Sequence, residues 1–105
     1  MNEIPSAGEA GKEVLEGALR QLRKRIDDVD LQILRGLNAR AVLVSEVYAL
    51  KRSHRVQRLD RDRTDEILER LVRENTGPLT ASDVRDLYSS MLTYFLQRFT
   101  PGAER

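Results

Sequence analysis

Apolar residues recur at spacings of mostly three and four through the first half of the chain, from about Gly17 to about Ser53. This periodicity predicts one amphipathic helix. At a rise of about 1.5 Å per residue, the helix would be roughly 50 Å long, well beyond an average globular helix. A chain of 105 residues cannot cover so long an apolar face alone, so we expect a second copy to cover much of it. The stripe consists of Leu19, Leu22, Ile26, Val29, Ile33, Leu37, Val44 and Val47.

Two shorter helices follow a connection over residues 53–59. Asp60 is a candidate N-cap for the second helix, and Gly77-Pro78 is a typical stop signal after it. Thr80 and Asp83 resemble a capping box that starts a third helix, which Pro101 closes. The core-facing positions would be Ile67, Leu68, Leu71 and Val72 on the second helix, and Val84, Leu87, Tyr88, Met91, Leu92, Phe95 and Phe99 on the third.

No segment alternates as a β-strand does, so the predicted class is all-α, with three helices per chain and a very long first helix. Residues 1–16 contain Pro5, Gly8 and Gly11 and read as a flexible leader. Residues 17–100 form the predicted helical domain, and residues 101–105 a short tail.

Composition excludes several functional classes. The chain has no cysteine, which excludes disulfides, zinc-thiolate sites and thiol nucleophiles and fits a cytoplasmic location. The net charge is +1, and acidic residues interleave the arginines between helices, so we expect neither nucleic-acid nor membrane binding. His54 is the single histidine and reads as a solvated loop residue rather than an acid-base catalyst.

Three cations interrupt the apolar stripe of the first helix: Arg23, Arg40 and Lys51. Any one of them taken alone is best explained as an edge residue whose charged end reaches water. Burying a charge is costly unless it is paired, so all three together suggest a cavity that binds an anion.

Helix geometry then restricts how these cations can act. Arg40 and Lys51 are about 16 Å apart along the axis, and their long side chains can bracket a small dianion. Arg23 and Arg40 are roughly 25 Å apart and cannot hold the same small molecule within one chain. An antiparallel second copy brings its Arg23 beside Arg40 and Lys51, which gives two identical sites by twofold symmetry. Arg63 can join the cavity with Asp60 orienting the cations, unless Arg63 forms a surface ion pair with Asp60 or Glu66.

The same residues resemble a known family. Residues 22–30 (LRKRIDDVD) look like the opening signature of the all-helical chorismate mutases. Arg40, Lys51, residues 56–60 (VQRLD), Arg63 and residues 67–71 (ILERL) follow in the family's order and spacing. The turn at residues 75–79 (NTGPL) resembles members that are fused to, or partnered with, DAHP synthase, the first enzyme of the shikimate pathway.

The resemblance implies an intertwined antiparallel homodimer that converts chorismate, a dicarboxylate, to prephenate for phenylalanine and tyrosine biosynthesis. The reaction is a pericyclic rearrangement that needs no cofactor and no metal. The resemblance assigns the carboxylates to Arg23 of the partner chain and Arg40, and a carboxylate and the ether oxygen to Lys51. Arg63 would assist at the carboxylate end, and Asp60 would contact the ring-hydroxyl region or position the cations.

Three positions depart from the family pattern. Thr64 stands where the family commonly has a glutamate that accepts a hydrogen bond from the ring hydroxyl. Phe95 stands where the third helix usually has a small or polar residue, and Phe99 where it has a glutamine that donates to the ether oxygen. Four alternatives would explain these departures. The third helix could be shifted so that it offers Gln97, or a partner enzyme could complete the site. The substrate could be a relative such as 4-amino-4-deoxychorismate, or the chain could be a non-catalytic regulatory module. Phe95 and Phe99 inside the cationic cavity would favour the binding module, and inside the helical core they would favour the enzyme.

Overall fold

The computed structural model describes residues 7–54 and 61–99, and all regular secondary structure within those ranges is α-helical. Helix α1 runs Ala7–Ser53, α2 runs Arg61–Glu74 and α3 runs Ala81–Phe99. Three helices, the first of them very long, confirm the predicted class. None of these helices is both long and apolar enough to cross a membrane. Asp60, residues 55–59 of the predicted connection and the tail at 101–105 lie outside the described residues.

Helix α1 begins ten residues earlier than we predicted and ends where we predicted. Gly8 and Gly11 suggested a flexible leader, because each glycine costs a helix up to about 1 kcal/mol relative to alanine. The surrounding alanine, glutamate, lysine and leucine residues favour the helix and offset that cost. Most of the predicted leader at 1–16 is therefore helical in the structure.

The chain divides into two units at the junction between Arg40 and Ala41, within α1. In the first unit, the described segment is the helix that begins at Ala7. Its apolar stripe is about half exposed in the single chain: Leu22, Ile26, Val29 and Ile33. An isolated apolar stripe of this kind is not an energetically favourable surface in water.

The second unit has its core where α2 packs against α3. Val84, Leu92 and Phe95 of α3 are buried. The predicted core positions of α2 are half-buried, whereas Leu87 and Tyr88 of α3 are 60% and 37% exposed rather than buried. Leu87 lies about 60° around the helix from Val84, which places it at the edge of the buried face.

Side chains of the turn between α2 and α3 satisfy its backbone groups. The Asn75 side chain accepts a hydrogen bond from the Gly77 N–H at 3.0 Å and donates one to the Leu79 carbonyl at 2.7 Å. Gly77 has a φ of 85°, a left-handed conformation that a side chain disfavours, and the Gly77–Pro78 bond is cis. The predicted capping box is confirmed, because Thr80 and Asp83 each bond the other's N–H.

Candidate functional site

The last turns of α1 carry a half-buried stripe: Ala41, Val44, Tyr48 and Lys51. Val47 and Leu50, which flank it, are largely exposed. The Lys51 ammonium lies over the Tyr48 ring, with Nζ 5.9 Å from the ring centroid. The predicted site lysine is therefore on a partly covered helix face, where charge interactions are stronger than in open water.

Arg40 ends the first unit and is also half-buried. Its Nη1 atom has almost no contact with solvent. Covering part of a guanidinium costs free energy that exposed arginines do not incur. The structure therefore agrees with the expectation that Arg40 is more covered than an ordinary surface arginine.

Arg23 lies on the exposed part of α1 in the single chain. It follows directly after Leu22, at the start of the apolar stripe that is about half exposed. Arg23 is thus accessible to another molecule. Asp60, the predicted orienting carboxylate, lies outside the described residues.

Arg63 and Thr64 lie in the first turn of α2. Arg63 forms the surface ion pair with Glu66 that we gave as the alternative to a role in the cavity, with Nη1 3.6 Å from Oε2, and both side chains are well exposed. Exposed ion pairs of this kind contribute about 0–1 kcal/mol to stability, so Arg63 can leave Glu66 at little cost in free energy. Thr64 is half-buried beside it.

Comparison with protein families decides what kind of chain this is. The sequence matches the family described as chorismate mutase type II over residues 22–98, well over half of the chain. The chain belongs to the chorismate mutase type II family. The match includes Arg23, Arg40, Lys51 and Arg63, and it leaves out residues 7–21 at the start of α1. No curated protein matches the chain significantly.

In this chorismate mutase family member, Phe95 is a core residue. It is only 7% exposed, and its ring contacts those of Tyr94 and Phe99, at centroid distances of 6.3 Å and 5.4 Å. Three aromatic rings therefore pack together at the end of α3. Phe95 belongs to the α2–α3 core, which is the location that we associated with an enzyme.

Phe99 is half-buried and lines an open, mostly apolar groove of about 560 Å³. The other lining residues all come from α1: Ala41, Val42, Ser45, Glu46, Ala49 and Arg52. At about 100° per residue, this groove face is centred roughly 100° around the helix from the stripe of Ala41, Val44, Tyr48 and Lys51, and Ala41 lies at the edge of both. Phe99 is therefore directed at a different face of α1 from the one that carries Lys51.

Sequence reasoning treated Tyr48 as a general core or interface residue and did not connect it with Lys51. Residues three apart on a helix are neighbours, so the spacing of Tyr48 and Lys51 was the only feature of the sequence that could have indicated this contact. His54 is exposed, as expected of a solvated residue, and its Nδ1 atom is 3.0 Å from the Leu50 carbonyl oxygen at the end of α1.

Proposed function

We propose that this protein is a homodimeric chorismate mutase, an isomerase that rearranges chorismate to prephenate in phenylalanine and tyrosine biosynthesis. The observation that carries the proposal is the family match over residues 22–98, which contains the four cations that the resemblance assigns to a dianionic substrate. The partly covered positions of Arg40 and Lys51 support it, because cations on covered faces interact strongly with carboxylates.

The proposed mechanism uses positioning and electrostatics alone. Chorismate carries two carboxylates, and its rearrangement breaks an ether bond as a carbon–carbon bond forms, with no proton transfer. Arg40 binds a carboxylate, and Lys51 donates to a carboxylate and to the ether oxygen, where negative charge develops. Holding the substrate in its reactive shape and stabilising that charge are both effective in a site with restricted water.

Arg63 has a secondary role in this scheme. Its ion pair with Glu66 is exposed and weak, so a substrate carboxylate can replace Glu66 at little cost. Thr64, half-buried in the same turn, offers a neutral hydroxyl to the ring-hydroxyl end of the substrate. Asp60 is proposed to orient the cations.

The proposed dimer is antiparallel and intertwined, and it completes each site. The half-exposed stripe of Leu22, Ile26, Val29 and Ile33 supports it, because burying apolar area favours association by about 25 cal/mol per Å². Arg23 of one chain then lies beside Arg40 and Lys51 of the other. The resemblance of residues 75–79 to partnered members leads us to propose DAHP synthase as a further partner.

Subunit complementation tests both the site and the dimer. Arg23→Ala and Lys51→Met homodimers are each expected to be nearly inactive with chorismate. In a mixed dimer, one site carries both substitutions and the other carries neither. Random re-association makes half of the dimers mixed, so the mixture should recover about a quarter of wild-type turnover. Recovery no greater than the sum of the two homodimers would contradict a shared site.

A control for complementation is the mixture of Arg40→Ala and Lys51→Met homodimers. In the proposed site, Arg40 and Lys51 come from the same chain. Each site of a mixed dimer therefore carries one of the two substitutions. No recovery is expected from this pair. Recovery would show that Arg40 and Lys51 act in different sites.

A further inference from the structure

The contact between Tyr48 and Lys51 has no role in the mechanism described so far. The Lys51 Nζ atom lies 5.9 Å from the centroid of the Tyr48 ring, within the range in which a ring face attracts a cation. The two residues are three positions apart on α1, so the helix backbone fixes the ring directly beside the lysine stem.

The ring and the ammonium occupy the same partly covered face of α1. Tyr48 and Lys51 are half-buried, as is Val44 one turn earlier, whereas Val47 and Leu50 are 49% and 63% exposed. Tyr48 therefore shares its face of α1 with Lys51, and it does not line the groove that Phe99 lines.

A lysine needs such a constraint more than an arginine does. Its ammonium is a compact charge on a flexible four-carbon stem, and it loses rotamer entropy whenever it is held in one place. If a ring face already holds the ammonium before the substrate binds, part of the entropy loss occurs during folding and no longer adds to the barrier of the reaction. The ring also adds no negative charge, so the positive charge of the site stays available for a dianion, whereas a carboxylate neighbour would partly neutralise it.

We propose that Tyr48 is a positioning residue that holds the Lys51 ammonium in place for the rearrangement. The proposal rests on the proposed function, since it concerns the same site. The ring does the positioning, and the hydroxyl is not required.

Two substitutions separate the ring from the hydroxyl. Tyr48→Phe keeps the ring and should retain the wild-type kcat, whereas Tyr48→Leu removes it and should lower kcat about two- to fivefold with a smaller change in KM. Tyr94→Leu is the matched control, because Tyr94 is 61% exposed on α3, and it should leave kcat unchanged. An equal loss in Tyr48→Phe and Tyr48→Leu, or no loss in either, would overturn the proposal.

The ring current of Tyr48 gives a readout that does not depend on activity. In the dimer labelled at lysine, the Lys51 ε-methylene resonances should be shifted by the ring in the wild type and in Tyr48→Phe, and lose that shift in Tyr48→Leu. An unchanged Lys51 shift in Tyr48→Leu would overturn the contact, even if that variant were destabilised. Loss of the shift in Tyr48→Leu, together with a wild-type protein that fails to turn over chorismate, would support the contact and overturn only the proposed function.

Discussion

Thr80 and Asp83 cap helix α3 reciprocally: Thr80 Oγ1 accepts from the Asp83 N–H at 3.0 Å, and Asp83 Oδ2 accepts from the Thr80 N–H at 2.9 Å. Removing one partner leaves an N–H of the first turn without its side-chain acceptor. We predict that Thr80→Ala lowers the free energy of unfolding by about 1 kcal/mol, measured by urea denaturation at fixed protein concentration. Thr93→Ala, at an exposed position inside the same helix, is the control and should cause no loss. Equal stability of the two variants would contradict the cap.

The apolar stripe of α1 should hold the dimer together. Ile33→Asp places a carboxylate in the middle of that stripe, where burial of an unpaired charge is strongly unfavourable. We predict that the dissociation constant measured by sedimentation equilibrium rises on the order of 100-fold or more. Asn38→Asp adds the same charge about 140° away around the helix and should leave the dimer intact. A dimer that tolerates Ile33→Asp would require a different interface.

Two arginines of α2 form a matched pair for testing the site. Arg63 pairs with Glu66 at 3.6 Å and Arg70 pairs with Glu74 at 3.7 Å, and all four side chains are well exposed. Because exposed pairs contribute little, both Arg63→Ala and Arg70→Ala should change the free energy of unfolding by less than about 1 kcal/mol. Only Arg63→Ala should lower kcat/KM, by about tenfold or more, since only Arg63 belongs to the proposed site. Equal kcat/KM values would remove Arg63 from the site.

The buried ring of Phe95 should be a major source of stability for the second unit. It packs against Tyr94 and Phe99, so Phe95→Ala would remove both ring contacts and leave a cavity. We predict a loss of about 3–5 kcal/mol in the free energy of unfolding by urea titration. Leu87→Ala, at a 60% exposed position of the same helix, should cost far less. Comparable losses would mean that Phe95 is not the core residue described above.

Local signals in the sequence predicted the helices well. Gly77, Thr80 and Asp83 marked the turn and the start of α3, because capping depends on residues that are close in sequence. The start of α1 was predicted wrongly, because Gly8 and Gly11 suggested a flexible leader. Their cost in helix propensity is offset by the good helix formers around them.

The site could be predicted only in part. Helical spacing placed Val44 and Lys51 on one face and suggested that the lysine is partly covered there. Periodicity does not say which neighbour a side chain contacts, so the contact between Lys51 and Tyr48 was not predicted. The direction of Phe99 likewise depends on how α3 ends relative to α1 within the second unit, which no local pattern encodes.

Turnover of chorismate by the purified protein tests the central claim most directly, followed as loss of chorismate absorbance with and without added DAHP synthase. We predict turnover by the wild type, and a loss of about 10²–10³-fold in Arg40→Ala while that variant stays a folded dimer by circular dichroism and sedimentation. Turnover only with the synthase would still support the site and would show that a partner completes it. Wild-type rates in Arg40→Ala, or no turnover of chorismate under either condition, would contradict the account.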